Sequence, residues 1–308
     1  MQYATWSRGQ LSRSPLGTIR KKENLMNGPI AQIIALTSYG NAILKGDVEV
    51  NYGFDNSTAK FCSKIRFIDW LQTEKLWGLI KSKNRVEVSI SENFDSWVRF
   101  LIDNKIDHLW LHYYRSEKAK IPDRISTAFV GGGGRWLIEA KHSKGSDFWE
   151  ARWDVTNKDA ADSRIWTVTY VRTSKNYKSN ASIPTGLDII TLDLQDAIIS
   201  CKEFSEKHKL DYYQKCFAAA FDCLTSGNFS SDLIYHKDFI PVNHFSTEAK
   251  RVLYSCQPAW VFGGMGSWND IWYEGDVDVY NHISDKLYYT ICEALCRATN
   301  SFSQTNCA

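Results

Sequence analysis

Two patterns of hydrophobic residues divide the chain, and the change falls near residue 180. Before it, apolar and aromatic residues alternate with polar ones in short runs, and this period close to two indicates strands. After it, apolar residues recur every three or four positions, which places them on one face of a helix. The pattern predicts an α+β fold with an antiparallel β-rich N-terminal half, which carries one or two helices, and a helix-rich C-terminal half.

The N-terminal half is predicted to be a series of short strands separated by turn residues. The stretch PIAQIIALTSYGNAIL, residues 29–44, indicates two short strands around a turn at Tyr39, Gly40 and Asn41. The other predicted strands lie within residues 60–71, 84–90, 108–115, 125–130, 135–142, 147–155 and 164–173.

Helical spacing predicts one helix in the first half and four in the second, within residues 91–104, 191–208, 210–228, 246–256 and 281–301. Ser91 and Thr191 are predicted N-caps, because a hydroxyl oxygen can accept a hydrogen bond from a backbone N–H of the first turn. Ser246 or Thr247 has the same role in a later helix. Gly227 suits the end of a helix, since glycine adopts a positive φ without steric cost.

These patterns predict three regions. Residues 1–28 contain five basic side chains among small polar residues and indicate an extended basic arm. Residues 29–180 form the β-rich domain, and residues 187–308 form a helical region packed on it. The polar loop at residues 174–186 is the predicted boundary.

Composition and charge limit the classes of function. The 12 Trp, 15 Tyr and 15 Phe indicate a chain that folds compactly, because so many rings are costly to leave in water. The net charge is only +2, from 37 basic and 35 acidic side chains. A protein held mainly by phosphate contacts usually has a larger basic surplus, so direct nucleic-acid binding is not favoured as the main activity.

The eight cysteines are predicted to be free thiols. The first residues, MQYATWSRGQLSRSP, lack the apolar core of a secretory signal, and no stretch reaches the roughly 18 consecutive apolar residues of a membrane span. We therefore expect a cytoplasmic protein, in which cysteines stay reduced. Cys292 and Cys296 lie four residues apart on a predicted helix and are expected to be small buried residues.

Two glycine-rich stretches are the candidate functional loops: GGGG at residues 131–134 and WVFGGMGSWND at residues 260–270. Neither fits a phosphate-binding motif, because no helix or Lys-Ser/Thr pair follows the glycines. Ser267 lacks the second flanking glycine of a nucleophile elbow. Each loop is either a packing corner or a binding surface. The candidate binding residues are Arg135, Trp136, Trp260, Trp268, Asn269 and Asp270.

No catalytic residue, metal ligand or cofactor site is predicted from the sequence. His108 and His112 share one face of a predicted strand, but their spacing does not match a metal signature.

Two stretches resemble a known family. They are IIALTSYGNAILKGD at residues 33–47 and WVFGGMGSWND, which is followed by YNHISDKLYYTICEALCRATNS at residues 280–301. Together they resemble the phage-encoded Gabija anti-defence proteins. The resemblance implies a non-catalytic inhibitor that forms a homo-oligomeric shell around a host nuclease–helicase complex and blocks its access to DNA. It assigns no binding residue to a position in this chain.

Two other functions stay open at this level. The first is an enzyme with its site at one of the glycine-rich loops, residues 131–136 or 263–270. The second is a nucleic-acid-binding protein that uses the basic arm and the aromatic residues of the sheet, since rings interleaved with basic side chains suit base stacking.

Overall fold

The structure is a computed structural model that describes residues 26, 28–77, 80–117, 120–178, 183–271 and 275–302. Most of the predicted basic arm lies outside these ranges. The elements in chain order are α1 (Gly28–Leu44), β1 (Cys62–Trp77), β2 (Ile80–Ser91), α2 (Phe94–Asp103), β3 (His108–Tyr114), α3 (Asp123–Ser126), β4 (Arg135–His142), β5 (Gly145–Val155), β6 (Trp166–Tyr177), α4 (Asp188–Lys207), α5 (Asp211–Ser226), α6 (Thr247–Ala259) and α7 (Val277–Asn300).

The six strands form one sheet in the order β2-β1-β6-β5-β4-β3. Strands β3 to β6 are an antiparallel meander, and β1 with β2 is an antiparallel hairpin. The hairpin joins the meander through a parallel pair, β1 with β6. The α+β class is thus confirmed, and the sheet is mostly antiparallel, with this one parallel pair as the exception.

The prediction for residues 29–44 is wrong, because this segment is a single helix, α1. Twelve of its residues are buried, and they include Gln32 and Asn41. A helix that is covered on every side is apolar all round and gives no 3.6-residue stripe in the sequence. Gly40 does not mark a turn: a Cβ at this position would lie 2.5 Å from Leu109 Cδ1, so glycine permits the close approach of α1 to β3.

Several boundaries also differ from the sequence predictions. The predicted strand at residues 125–130 is the end of the short helix α3 followed by a turn. The N-cap of α2 is Asn93, whose side chain accepts a hydrogen bond from Ser96 N, rather than Ser91. Helix α4 begins at Asp188, ahead of the predicted cap at Thr191. The cap at Ser246 and the left-handed Gly227 after α5 are confirmed.

A single buried hydrophobic cluster contains residues from both halves of the chain. On the sheet, the inward side chains include Leu111, Ile138, Trp149 and Tyr170, and all four are almost fully buried. Neighbouring positions such as His112 and Glu139 point to the opposite, polar face, as the two-residue period of a strand requires.

The edge of the sheet at β3 is covered by two asparagine side chains. Asn41 of α1 donates to Leu109 O at 2.8 Å and accepts from Leu109 N at 2.7 Å. Asn300 of α7 makes the same pair of bonds with Leu111, at 2.9 and 2.7 Å. Each side-chain amide takes the place of the backbone of a further strand. The outward N–H and C=O groups of Leu109 and Leu111 are therefore not available for pairing with another chain.

The opposite end of the sheet is a long hairpin. Strand β1 pairs with β6 only from Cys62 to Ile68, whereas its pairing with β2 continues to Trp77. Residues 69–77 therefore have β2 as their only strand partner in the described structure. At about 3.3 Å per residue, this part of the hairpin extends about 30 Å past the pairing with β6.

Candidate functional site

The corner at residues 260–270 is built around two buried indole rings. Trp260 ends α6 and Trp268 begins a short 3-10 helix, and both are almost inaccessible to solvent. The Trp268 ring contacts aromatic residues of α4, α5 and α7 with centroid distances of 5.0 to 6.1 Å, and its Nε1 donates to Ser284 Oγ at 2.7 Å. The corner thus fixes the C-terminal helices against each other.

The polar groups of the corner at residues 260–270 form hydrogen bonds with one another. Trp268 N donates to Val261 O at 3.0 Å, and the Ser267 hydroxyl donates to Gly263 O at 3.0 Å. The carboxylate of Asp270 accepts from Gly266 N at 2.6 Å. Because Ser267 is buried and bonded to the backbone, the structure gives it no approach to a substrate.

Arg124 is a buried residue at this corner that sequence reasoning missed. It donates to Asn269 Oδ1 at 3.3 Å and to Asp285 Oδ1 at 2.7 Å, and Asn269 Nδ2 returns a hydrogen bond to Arg124 O at 2.7 Å. Asn269 therefore joins α3 to the corner. The signal available in the sequence was a lone arginine just before a stretch predicted as a strand, which does not identify an ion pair with a distant aspartate.

The GGGG loop is held by contacts that only glycine allows. A Cβ at Gly132 would lie 1.9 Å from Ser126 O, and one at Gly133 would lie 2.7 Å from the hydroxyl of Tyr288. The Tyr288 hydroxyl donates to Gly133 O at 2.8 Å. In contrast, Gly264 of the other loop has open space at its Cβ position. Packing thus explains Gly132 and Gly133, whereas Gly131 has open space at its Cβ position and adopts a φ of +82°.

Arg135 and Trp136 begin β4 just after this loop. The guanidinium of exposed Arg135 makes two hydrogen bonds to Glu150, at 3.0 and 2.6 Å. The Trp136 ring is half-buried and packs at 5.0 Å from Tyr113. Among the six candidate binding residues, Arg135 and Asp270 are exposed, and Trp260 and Trp268 are core residues. A binding role for any of the six stays a prediction.

A cleft of about 430 Å³ lies between the segment that precedes the GGGG loop and the start of the second glycine-rich stretch. Residues 127–130 form one wall and residues 262–264 form another, and Trp153 and Trp166 add aromatic surface. Phe129 at the mouth is 68% exposed. The sequence showed the similarity of the two glycine-rich stretches, but only the fold shows that residues 127–130 and 262–264 line one cleft.

The floor of this cleft contains a serine beside a histidine. Ser57 Oγ lies 2.9 Å from His236 Nδ1 and also contacts the carboxylate of Asp238, which accepts from Ser57 N at 3.0 Å. Burial lowers the pKa of His236 to about 4, so the ring is neutral at pH 7. In a catalytic triad the carboxylate orients the histidine. Here it binds the serine, so the arrangement joins two loops and is not a triad.

The described residues contain no group of three or more side chains suited to holding a metal ion. The seven described cysteines are free thiols, as predicted, and burial raises the pKa of Cys62 to about 11. No helix in the described part of the chain has the length and apolar character needed to cross a membrane.

Comparisons of the chain with protein-family models, with curated proteins and with solved structures found no match.

Proposed function

We propose that this protein is a non-catalytic, protein-binding inhibitor that acts through the β1–β2 hairpin. The observation that carries the proposal is the hairpin itself. A two-stranded ribbon is only marginally stable alone in water, and an uncovered strand edge is a template for pairing with another chain. A ribbon that extends about 30 Å from its sheet gains most from a partner that covers it.

The exposed side chains of the hairpin support this proposal. Leu71 and Val86 lie directly opposite each other and are 53% and 48% exposed. Val88 is exposed on the same face, opposite Asp69. Leu71 follows Phe67 at a spacing of four residues in one strand, so this apolar patch continues the core face of β1 beyond its covered part. Interfaces commonly have such apolar centres with polar surroundings.

The sequence resemblance suggests the partner. We propose that the target is a host Gabija nuclease–helicase complex, which the protein surrounds as a homo-oligomer and keeps from binding or cutting DNA. It would act in the cytoplasm of an infected bacterial cell. The resembling stretch at residues 33–47 lies mainly in buried α1, so it supports a shared fold rather than a contact surface.

The experiment compares DNA cleavage by the Gabija complex with and without the protein. Wild-type protein is expected to co-purify with the complex and to stop cleavage. The L71K/V86K double variant should bind at least about tenfold more weakly, since a charge placed at the centre of an interface loses more than about 1.4 kcal/mol. The matched control is Val48→Lys, which changes an exposed valine outside the hairpin.

Two results would contradict the proposal. One is full DNA cleavage in the presence of excess wild-type protein, which would show that the Gabija complex is not the target. The other is equal inhibition by the hairpin variant and the control variant, which would show that the protein does not bind its target through the hairpin. Light scattering tests the oligomer separately: a monomer both free and in the complex is inconsistent with a shell.

A second candidate, an enzyme acting at the cleft lined by residues 127–130 and 262–264, is favoured by the Ser57–His236 contact alone. A neutral histidine in hydrogen-bond reach can activate a serine. A fluorophosphonate probe tests this directly: an enzyme would be labelled at Ser57, and Ser57→Ala would lose the label. Absence of labelling in the wild-type protein removes this candidate.

A further inference from the structure

The polar face of the sheet contains a second pocket, separate from the cleft and from the hairpin. It lies where β3, β4 and β5 meet the turn at residues 142–145 and the end of β6, and its volume is about 450 Å³. Ligand pockets commonly have volumes of about 300–1,000 Å³, which accommodates a small organic molecule. More of the lining is polar than apolar, unlike that of the cleft at residues 127–130 and 262–264.

Three lysines converge on this pocket: Lys141, Lys144 and Lys178. All three are exposed, and none of them forms an ion pair with another described residue. They belong to a strand, a turn and the segment after another strand, so the fold brings together charges that are far apart in the chain. Three unpaired ammonium groups around one concavity attract an anion.

The one acidic side chain that lines the pocket is already bound. Glu139 accepts a hydrogen bond from His112 Nε2 at 2.6 Å and another from the hydroxyl of Ser146. Burial raises the pKa of Glu139, but the two hydrogen bonds and the nearby positive charge of Lys141 outweigh it and leave the pKa below its ordinary value. The carboxylate is therefore ionised at neutral pH and directed at His112. It contributes one negative charge against three lysines, so the pocket keeps a net positive charge.

A neighbouring carboxylate is likewise held by the protein. Asp147 accepts from Arg172 Nη1 at 2.9 Å and from Asn176 N at 2.9 Å, and it lies 3.4 Å from His142. Both Asp147 and Arg172 are buried. This network fixes strands β5 and β6 beneath the pocket, next to the turn that contains Lys144 and the segment that contains Lys178.

Aromatic rings line the same pocket. Tyr114 and Tyr177 are 48% and 55% exposed, and Phe148 lies edge-on to Tyr177 at 5.8 Å. His112 stacks on Tyr114 with the ring planes 18° apart. Exposed rings beside lysines are the combination that binds a flat ring joined to a phosphate, because stacking holds the ring and the ammonium groups bind the anion.

We propose that this pocket binds a small ligand that consists of one flat ring and a phosphate group, of the class of a nucleoside monophosphate. The ring stacks on Tyr177 and Tyr114, and the phosphate is bound by Lys141, Lys144 and Lys178. The sequence pattern did not reveal the site, since its lysines are dispersed over 38 positions of the chain.

Isothermal titration calorimetry with purified full-length protein tests the proposal. The probes are AMP, GMP, CMP and UMP, with adenosine and inorganic phosphate as partial ligands. At least one nucleotide is expected to bind about tenfold or more tightly than either partial ligand, because only the nucleotide uses both the rings and the lysines.

Variants locate the site. Lys141→Ala and Lys144→Ala should each weaken nucleotide binding by about tenfold, and Tyr177→Ala by a similar factor. Lys158→Ala is the matched control, because Lys158 is also exposed but lies outside the pocket. Unchanged thermal midpoints establish that the variants fold, which is expected because the substituted side chains are exposed.

Three results would overturn the proposal. The first is no saturable binding of any nucleotide at about 1 mM, which is the weak limit for a specific site. The second is equal loss of binding in Lys158→Ala and Lys141→Ala. The third is a single-stranded DNA oligonucleotide that binds far more tightly than every mononucleotide, with affinity that falls steeply with salt, which would make this face a nucleic-acid surface. None of these results depends on inhibition of a Gabija complex.

Discussion

The two edges of the sheet are protected in opposite ways. At β3, the side-chain amides of Asn41 and Asn300 bind the outward backbone groups of Leu109 and Leu111, and α1 and α7 cover the strand. At β2, residues 85–89 are exposed, and no described strand lies beyond them. One edge is closed within the chain and the other is open to a second chain. An interface with another protein is therefore expected at the hairpin rather than at β3.

The largest effect on stability is expected for Asn41→Ala. The change leaves the buried N–H and C=O of Leu109 without partners, and each unsatisfied group costs about 2 kcal/mol, so the free energy of unfolding should fall by about 4 kcal/mol. Urea denaturation measures it. The control is Asn104→Ala, because the exposed amide of Asn104 also binds a backbone carbonyl, at 2.7 Å. Equal losses in both variants would contradict a closed edge at β3.

A smaller loss, about 2 kcal/mol, is expected for Asn300→Ala. Asn300 is the last residue of α7, where water can replace part of the lost amide more easily than at Asn41. Hydrogen exchange gives the specific readout, because the amide proton of Leu111 is bound by the Asn300 side chain. Unchanged protection at Leu111 would show that this bond does not close the edge.

Gly40→Ala should lower the free energy of unfolding by about 1 kcal/mol. The added Cβ would lie 2.5 Å from Leu109 Cδ1, and overpacking of this kind costs about 1–3 kcal/mol. The gain in helix propensity, up to about 1 kcal/mol, offsets part of this cost. Thermal unfolding distinguishes the two effects. A rise in the midpoint would mean that α1 does not need its close approach to β3.

The smallest effect is expected at the open edge. Val88→Lys should change the free energy of unfolding by less than about 0.5 kcal/mol, because the valine is exposed and the change removes no buried contact. Chemical denaturation of the free protein measures it. A loss above about 1 kcal/mol would indicate that another part of the folded chain covers the hairpin, and the contrast between the two edges would then disappear.

The strands of the meander could be predicted because apolar and polar residues alternate along them. In β4, apolar Ile138 and Ala140 alternate with polar Glu139 and Lys141, although Glu139 is also buried. Helix α2 was found for the corresponding reason, since Trp97 and Leu101 form an apolar stripe. Helix α1 was missed because it is buried on all sides and the stripe is absent.

The candidate site was predicted less well than the fold. The sequence identified both glycine-rich loops but left open whether Trp268 packs in the core or binds a partner. It could not show that residues 127–130 and 262–264 line one cleft or that Ser57 and His236 line it too. Those two residues are separated by 179 positions and lie in segments without a periodic pattern. Arg124 was missed because its partners lie on α7 and in the corner, far along the chain.

Local sequence patterns were sufficient to predict the α+β class, the positions of most strands and helices, a cap at Ser246 or Thr247, and the helix end at Gly227. These features depend on hydrophobic periodicity and on local backbone geometry, and both are set by residues that are close together in the chain. The tertiary structure alone decided the parallel pair of β1 with β6, the closing of one edge by two asparagines and the gathering of three lysines in one pocket. Each of these joins residues from distant segments, and their proximity results from burial of a shared core rather than from any local pattern.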